Sequence, residues 1–414
     1  MTSSNSIADA AYPVGVVGAG LMGCGIAQAI ATAGRKVVLC ARDADRATAA
    51  VERIRTSLER RVSLGRMSKA DCDQVAGKIS PASSIAYDLG QCRLVIESVS
   101  EDRSAKGDVL HRIERAVASD ALVATNTSGL AVSGLATALH RPERFLGLHF
   151  FSPAERMPLV EVVRGEITSE FAVQDGLAFV SSIGKVPIVV RDGPSFFATR
   201  VFAAYLDEAT CMLQEGVEAE LIEAAATATG RTFGPLATLD ETGIELNLQQ
   251  ARQAKADGLP AHFRRLLAEP VLRALVEAGR GGRRRGGGFY DWPSNGKREL
   301  WTGLRTLYPP VEHQPERRSL EVRLLAAEAR EAMRCLEEGT VASADDADVA
   351  SVLGLGFPKS LGGIARWVET FGVGEFVDLC TKLAVLHGER FAPSPWLCSL
   401  ARDGTGLSKY RKGA

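Results

Sequence analysis

A glycine-rich stretch near the amino terminus limits what this chain can fold into more than any other feature. The apolar run Val14 to Val17 enters the sequence GAGLMG at positions 18–23. A helical pattern follows, and Gly34 closes it before a second apolar run, Val37 to Cys40. A strand, a tight turn, a helix and a second strand are therefore predicted in this order.

The glycines of this turn have separate functions. Gly18 permits the tight turn, Gly20 lets the backbone approach a pyrophosphate, and Gly23 lets the helix pack closely on the strand. The exposed N–H groups and the dipole at the helix start favour a negative ligand. A tight turn without a ligand is the alternative. We predict a Rossmann-type domain in which a dinucleotide contacts Gly18, Gly20, Leu21, Met22 and Gly23.

The end of the second strand bears on which dinucleotide is bound. An acidic residue there accepts hydrogen bonds from the ribose 2′-hydroxyl and repels a 2′-phosphate. Here this position is Ala41, and Arg42 follows, whose guanidinium suits a phosphate. The pattern favours NADP(H) over NAD(H). The alternative is that Arg42 is an ordinary surface residue and that Asp43 still reaches the ribose.

Two later strands are predicted to carry polar residues to the same edge of the sheet. The run Cys92 to Val99 precedes Glu101 and Lys106, and the next apolar run ends at Asn126 and is followed by Ser128. Ligands of doubly wound sheets bind at the carboxyl ends of the strands. We therefore predict cofactor contacts for Glu101, Lys106 and Asn126. Ser128 is a candidate to hold a substrate oxygen, or else a turn residue.

The sequence LGLHFFSPAERMPLVE at 146–161 carries the predicted acid/base pair, His149 and Glu161. The two residues lie twelve positions apart, so a turn at Ser152-Pro153 must reverse the chain before they can meet. A carboxylate on one ring nitrogen fixes the tautomer and leaves the other nitrogen free for a substrate proton. The alternative is a core histidine bonded to a backbone carbonyl.

The segment from Ala44 to Gly77 is predicted to form a charged helical hairpin that breaks near Ser63-Leu64-Gly65. Its basic side chains either contact the phosphates of a bulky substrate carrier or form a solvated helix face. They are Arg53, Arg55, Arg60, Arg61, Arg66 and Lys69.

Five motifs in order give a specific resemblance. GVVGAGLMGCGIAQAIATAG, LVIESVSED, ATNTSGL, GLHFFSPAERMPLVEVVRGE and GPSFFATR are similar to the 3-hydroxyacyl-CoA dehydrogenase family, most like the dehydrogenase half of the fatty-acid-oxidation multienzyme α subunit. The resemblance runs from Pro13 to about Asp403. It implies interconversion of L-3-hydroxyacyl and 3-ketoacyl thioesters with a nicotinamide cofactor. It also implies that His149 and Glu161 are the acid/base pair and that Ser128 holds the substrate oxygen.

The chain departs from the family pattern in places. The resemblance implies a fourth catalytic position, often an asparagine, which is Thr199 here, where a hydroxyl can still bond the carbonyl or a water. The second serine after Asn-Thr is Gly129, and the asparagine of HFFNP is Ser152. These changes suggest altered cofactor or substrate choice. The resemblance includes no hydratase domain, so we expect no hydratase activity.

The rest of the chain is predicted to be helical, with helices from Phe196 to Gly216, from Ala219 to Gly230 and from about Leu239, and to contain a repeat. Glu208-Ala209 returns as Glu331-Ala332, and Glu215-Gly216 returns as Glu338-Gly339, with a common offset of 123 residues (331 − 208 and 338 − 215). We predict two all-α domains after the nucleotide domain, the second a pseudo-dimer partner of the first. The predicted boundaries are 1–192 for the nucleotide domain, 193–302 for the helical substrate domain, 303–318 for a linker and 319–414 for the second copy.

Composition excludes some classes of function. The 49 Lys and Arg residues balance 50 Asp and Glu, so the chain lacks the basic field of non-specific nucleic-acid binding. The eight cysteines have no paired spacing, which suits structural thiols in a cytoplasmic protein, and we predict no metal ligands. No apolar run reaches membrane-spanning length.

The leading interpretation is an NAD(P)(H)-dependent dehydrogenase acting on acyl-CoA or acyl-carrier thioesters. The alternatives are a dehydrogenase for another β-hydroxy acid, free or bound to a carrier protein, and a dinucleotide-binding scaffold without turnover. We expect a monomer with an internal pseudo-dimer, or a dimer formed through another surface.

Overall fold

The computed structural model describes residue 7 and residues 11–293, 297–404 and 406–411. The chain divides into two compact units, Met1–Phe196 and Phe197–Ala414. The first is an α/β unit and the second is mainly helical, as predicted from the sequence. None of the described helices combines the length and the apolar character needed to cross a lipid bilayer.

The first unit is built on one eight-stranded sheet with the order β3-β2-β1-β4-β5-β6-β7-β8. β1 to β6 run parallel, whereas β7 is antiparallel to β6 and parallel to β8. The first six strands thus have the doubly wound order, with the ligand edge at their carboxyl ends. The strands are β1 (Val14–Val17), β2 (Val37–Cys40), β3 (Ile79–Ala82), β4 (Leu94–Glu97), β5 (Leu122–Thr125), β6 (Phe145–Phe150), β7 (Leu159–Arg164) and β8 (Val186–Arg191).

Helices pack on this sheet because its strands are apolar on both faces. β1, β4 and β5 are buried along their whole length, as is usual for central parallel strands. The predicted hairpin is present as α2 and α3. The helices are α1 (Leu21–Thr32), α2 (Ala44–Ser63), α3 (Lys69–Ala76), α4 (Ile85–Asp88), α5 (Arg103–Ala116), α6 (Val132–Ala136) and α7 (Glu170–Ser182).

The second unit contains two sets of helices. The first set is α8 (Ala198–Gln214), α9 (Ala219–Ala228), α10 (Pro235–Thr242), α11 (Ile244–Ala256) and α12 (Glu269–Glu277). A two-stranded ribbon, β9 (Tyr290–Asp291) with β10 (Glu299–Leu300), and the short α13 (Leu304–Leu307) follow. The second set is α14 (Arg317–Glu337), α15 (Ala344–Gly354), α16 (Ile364–Phe371), α17 (Val373–His387) and α18 (Pro395–Asp403).

Two helix starts differ from the sequence pattern. The helix expected from about Leu239 begins at Pro235. Proline is favourable at the first helical position, because the N–H that it lacks would have no partner within the helix there. The helix expected from Phe196 begins at Ala198, since Ser195 and Phe196 both have positive φ, 63° and 51°. Residues in that region cannot continue a right-handed helix.

The two sets of helices meet where α8 packs on α14. Arg200 of α8 donates to Glu331 at 2.6 Å and to Glu338 at 2.7 Å. Arg323 of α14 donates to Glu208 at 2.5 Å and to Glu215 at 2.6 Å. Each residue of one contact lies 123 positions from its counterpart in the other, so the contacts are reciprocal, as in an interface with two-fold symmetry.

Candidate functional site

The turn between β1 and α1 has the geometry of a phosphate-binding loop. Gly18 has a φ of 116°, and a Cβ there would lie 2.3 Å from the Ser98 carbonyl oxygen. A Cβ at Gly23 would lie 1.7 Å from the Gly18 carbonyl oxygen. At Gly20 a Cβ would meet no atom of the described chain within 4 Å, so this face of the loop is open. Leu21, which opens α1, is 59% exposed, and Met22 packs at the edge of the core.

These features fit a dinucleotide. Gly20, the N-cap residue of α1, has no side chain that could accept hydrogen bonds from the first N–H groups of the helix. Those N–H groups and the helix dipole can therefore meet a pyrophosphate directly, while Gly18 and Gly23 keep the turn tight enough for it to approach.

Arg53 contributes to this loop in a way that sequence reasoning missed. Its guanidinium donates a hydrogen bond of 2.7 Å to the carbonyl oxygen of Ala19, in the middle of the glycine-rich turn. From the sequence, this side chain was expected either to contact the phosphates of a substrate carrier or to lie on a solvated helix face. Its position on α2 places an exposed positive charge beside the loop that is predicted to bind the phosphates.

The three residues that follow β2 have different environments. The Asp43 carboxylate accepts a hydrogen bond of 2.8 Å from the Arg46 backbone N–H and so caps α2. Arg42 is exposed, and its guanidinium has no hydrogen bond or ion pair among the described residues. Ala41 offers no acceptor for a ribose hydroxyl, since a methyl side chain has none.

A buried charge network lies at the ends of β4 and β5. Glu97, fully buried at the end of β4, accepts from Lys106 Nζ at 2.9 Å and from Thr125 Oγ1 at 2.6 Å. Lys106 Nζ also lies 3.3 Å from Glu101 Oε2. The network joins the ends of two strands to α5, and each buried charge in it has a partner.

Glu101 fixes the loop that carries Ser128. One carboxylate oxygen accepts from Thr127 Oγ1 at 2.5 Å, from the Ser128 N–H at 3.0 Å and from the Gly129 N–H at 3.1 Å. Burial alone would raise the pKa of Glu101, but Lys106 and these hydrogen bonds hold its pKa below the ordinary value. The carboxylate is therefore kept charged, and Ser128 is held at the ligand edge.

The acid/base candidates meet as a cross-strand pair. β6 and β7 place His149 directly opposite Glu161, and His149 Nδ1 lies 2.7 Å from Glu161 Oε2. Glu161 is fully buried, and His149 is 7% exposed. Because Nδ1 faces the carboxylate, the other ring nitrogen, Nε2, is the one available to a substrate.

Aromatic rings enclose the imidazole. The ring centroids of Phe151 and Phe196 lie 4.7 Å and 5.9 Å from that of His149. The positive φ of Phe196 belongs to the sharp bend before α8, and its side chain is fully buried. Such rings exclude water and strengthen the contact between His149 and Glu161. The sequence motifs contain both phenylalanines, but only the fold shows where they point.

The remaining predicted residues are placed as follows. Asn126 Oδ1 accepts from the Phe150 N–H at 2.9 Å, which ties the end of β5 to the end of β6. Ser128, His149 and Glu161 therefore belong to one edge of the sheet in the first unit. Thr199 lies in the first turn of α8, in the helical unit, and its role stays a prediction.

Similar proteins identify the family. The model for the 3-hydroxyacyl-CoA dehydrogenase NAD binding domain matches residues 13–193, and that for the C-terminal domain matches residues 196–292. The solved structure of M. tuberculosis FadB2 is 35% identical, with a TM-score of 0.65, and the match covers 69% of this chain and 100% of that one. The chain belongs to the 3-hydroxyacyl-CoA dehydrogenase family. The resemblance seen in the sequence is thereby confirmed.

Two further members of the 3-hydroxyacyl-CoA dehydrogenase family extend the comparison. The 3-hydroxybutyryl-CoA dehydrogenase of Escherichia coli is 27% identical with a TM-score of 0.81, and the match covers 95% of this chain and 99% of that one. The fatty acid oxidation complex subunit alpha of Pseudomonas aeruginosa is 35% identical over 94% of this chain. This chain spans 55% of the length of that relative.

Membership of the 3-hydroxyacyl-CoA dehydrogenase family confirms the predicted class of cofactor. The cofactor is a nicotinamide dinucleotide, because the NAD binding domain of the family covers the glycine-rich turn. Both domains of the family are matched, which supports the predicted class of reaction.

Proposed function

We propose that this chain interconverts L-3-hydroxyacyl-CoA and 3-ketoacyl-CoA, with His149 as the acid/base. The observation that carries the proposal is the buried 2.7 Å contact between His149 Nδ1 and Glu161 Oε2, at the ligand edge of a nucleotide-binding sheet. The bound nicotinamide supplies the hydride chemistry at C3 of the acyl group.

In the oxidative direction His149 Nε2 takes the proton of the substrate hydroxyl as hydride leaves C3. Glu161 stabilises the resulting imidazolium, because its carboxylate is buried against Nδ1 and little water screens the pair. In reduction His149 returns this proton to the forming alkoxide. Ser128 is proposed to hold the substrate oxygen, and Thr199 to bond the same oxygen or a water.

The proposed cofactor preference is NADP(H). Arg42 is exposed beyond the end of β2, and Ala41 leaves room for a 2′-phosphate. The position of Asp43 also supports the proposal, since this carboxylate caps α2 instead of extending alone towards a ribose. Arg53 adds positive charge at the pyrophosphate loop.

We also propose that the active unit is one chain. The reciprocal contacts of Arg200 and Arg323 support an internal pseudo-dimer, because the surface that a second subunit would cover already carries the second copy. The proposed location is the cytoplasm, where free thiols such as the eight of this chain persist.

The direct test is a steady-state assay of the purified chain with acetoacetyl-CoA and NADH or NADPH. We expect oxidation of the reduced cofactor, with the higher kcat/KM for NADPH. The proposed substrate class would be wrong if acetoacetyl-CoA did not react while free acetoacetate or an acetoacetyl carrier protein was turned over. Reaction with neither cofactor on any of these substrates would favour a scaffold without turnover.

A further inference from the structure

Three potential metal ligands lie together at the surface of the first unit, apart from the residues placed at the acid/base site. His111 and Glu114 are three positions apart on α5 and therefore share one helix face. His140 belongs to the loop after α6. One ligand atom from each of the three residues lies within 4.8 Å of the other two.

Hydrogen bonds hold this cluster in place. Glu114, only 4% exposed, accepts from the His140 N–H at 2.9 Å through one oxygen and from the Arg141 N–H at 2.7 Å through the other. Arg141 also donates to the Glu114 carbonyl oxygen at 2.6 Å. The loop is thus fixed on α5, and the His140 ring lies with its centroid 5.5 Å from that of His111.

We propose that His111, Glu114 and His140 bind a divalent transition-metal cation of the Zn²⁺ type. Two imidazoles and one carboxylate are a ligand set that Zn²⁺ accepts, with a water in the fourth position. Glu114 Oε2 has a second lone pair beyond the backbone hydrogen bond it accepts from His140, whereas Oε1 also lies 3.6 Å from Arg141 Nε, so Oε2 is the proposed ligand atom. A hydrogen-bonded carboxylate is also the usual form of a metal-binding one, because those bonds orient it.

The distances allow this arrangement. Zn–N bonds of 2.0–2.1 Å put tetrahedral ligands about 3.3 Å apart, so the ligand atoms must approach by about 1.5 Å at most. His140 is exposed and His111 is half-buried, so rotation of the two rings supplies the movement. Arg112 and Arg141 oppose a cation by charge, whereas Asp108, which lines the same surface hollow as His111 and Arg112, favours it. The site is therefore expected to bind less tightly than a structural site of four thiolates or imidazoles.

Metal binding would fasten the loop at 139–141 to α5. A cation that binds only the folded state adds to stability by mass action. α5 also carries Lys106, whose ammonium pairs with Glu97 and Glu101. A cation at this cluster thus acts on the stability of the helix that supports the ligand edge, and it takes no part in the hydride chemistry.

The test is titration calorimetry of the full-length chain, free of affinity tags and treated with a chelator, with ZnCl₂. We expect one equivalent to bind the wild type and the His313→Ala control, whose histidine is exposed and lies outside the cluster. The double variant His111→Ala/His140→Ala should lose affinity by at least about tenfold. Thermal unfolding should agree, with a midpoint about 5 °C higher for the wild type at a hundredfold excess over Kd and no such rise for the double variant.

Two results would overturn the assignment. The first is a wild type that binds no Zn²⁺. The second is a double variant that binds as tightly as the wild type, which would place the cation elsewhere, for example at a thiol such as Cys24. If the double variant does not fold, the single variant His140→Ala provides the same comparison, because this side chain is exposed and leaves the hydrogen bonds of Glu114 to the backbone in place.

Discussion

At the scale of single residues, the contact between His149 and Glu161 depends on strand register. The two residues are direct partners on antiparallel strands, so a slip by one position would turn one side chain to the other face of the sheet. Because Glu161 is fully buried, removal of the His149 imidazole takes a hydrogen bond away from a buried carboxylate, which is costly. A glutamine at 149 avoids this problem, since its amide can still donate to the carboxylate.

His149→Gln should therefore lower kcat by about 10²–10⁴-fold, the usual contribution of general acid/base catalysis, and leave NADPH affinity and the unfolding midpoint almost unchanged. Steady-state kinetics, fluorescence titration and calorimetry measure the three quantities. His313→Gln is the matched control, because that histidine is exposed. Wild-type turnover in His149→Gln, with the same pH profile, would contradict the assigned role.

Arg42→Ala tests the cofactor preference. If the guanidinium binds the 2′-phosphate, NADPH binding should weaken by about 1.5–3 kcal/mol, the value of a charge-assisted hydrogen bond, while NADH binding stays the same. Arg60→Ala, near the end of the helix that follows Arg42 and therefore further from β2, serves as the control. Equal affinity of the wild type for NADH and NADPH would rule the preference out.

At the scale of elements, the Glu101 carboxylate links α5 to the loop after β5. Its pKa is lowered in the folded state, so the stability it contributes is present above its unfolded value, about 4.3, and is lost as the pH falls through the lower folded value. Glu101→Gln keeps the shape but removes the charge that Lys106 and three hydrogen-bond donors face.

We expect Glu101→Gln to reduce the free energy of unfolding by roughly 1–3 kcal/mol at pH 7, as for hydrogen bonds to a charged group. The difference from the wild type should begin to shrink below about pH 4.3, where the carboxyl is protonated in the unfolded chain, and should disappear only below the lower pKa of the folded state. Urea denaturation at pH 7 and at pH 3.5 gives both values. A difference that is equal at the two pH values would mean that the charge of Glu101 does not support the loop.

Some elements could be predicted from the sequence and others could not. The glycine turn and the reversal between β6 and β7 have local signals in the sequence, namely closely spaced glycines, of which Gly18 adopts a positive φ, and a proline turn between apolar runs. The cofactor contact expected for Lys106 stays a prediction; its ammonium donates to Glu97 at the end of β4, and Glu97 also accepts from Thr125 at the end of β5, two strand ends that only the sheet order brings together. His111 and His140 are likewise 29 positions apart (140 − 111), with no spacing that marks a metal site.

At the scale of the whole molecule, the repeat predicts that each helical copy supplies the ion-pair partners of a buried arginine in the other copy. Arg200 and Arg323 are almost fully buried, and each faces two carboxylates of the other copy. Removing one side of a buried ion pair costs about 3–5 kcal/mol, because the remaining charge is left without a partner. The first copy alone would therefore expose both an apolar face and the unpaired charges of Arg200 and Glu208.

The first copy nevertheless carries both halves of the contact. Arg200 corresponds to Arg323, and the partners of Arg323 are Glu208 and Glu215, which also belong to the first copy. A chain that ends at Pro315 could therefore pair with a second such chain about a true two-fold axis, Arg200 of each facing Glu208 and Glu215 of the other. We expect this truncation to be a dimer or to aggregate, whereas the full-length chain does not use this surface.

Light scattering coupled to size-exclusion chromatography measures the mass of each species. Arg200→Glu in the truncated chain should prevent the dimer, because the new carboxylate would face Glu208 and Glu215 of the second chain and like charges repel. Arg273→Glu, at an exposed position of α12, is the control and should dimerise like the unmodified truncation. A truncated chain that stays monomeric, soluble and fully active would show that the second copy does not take the place of a second subunit.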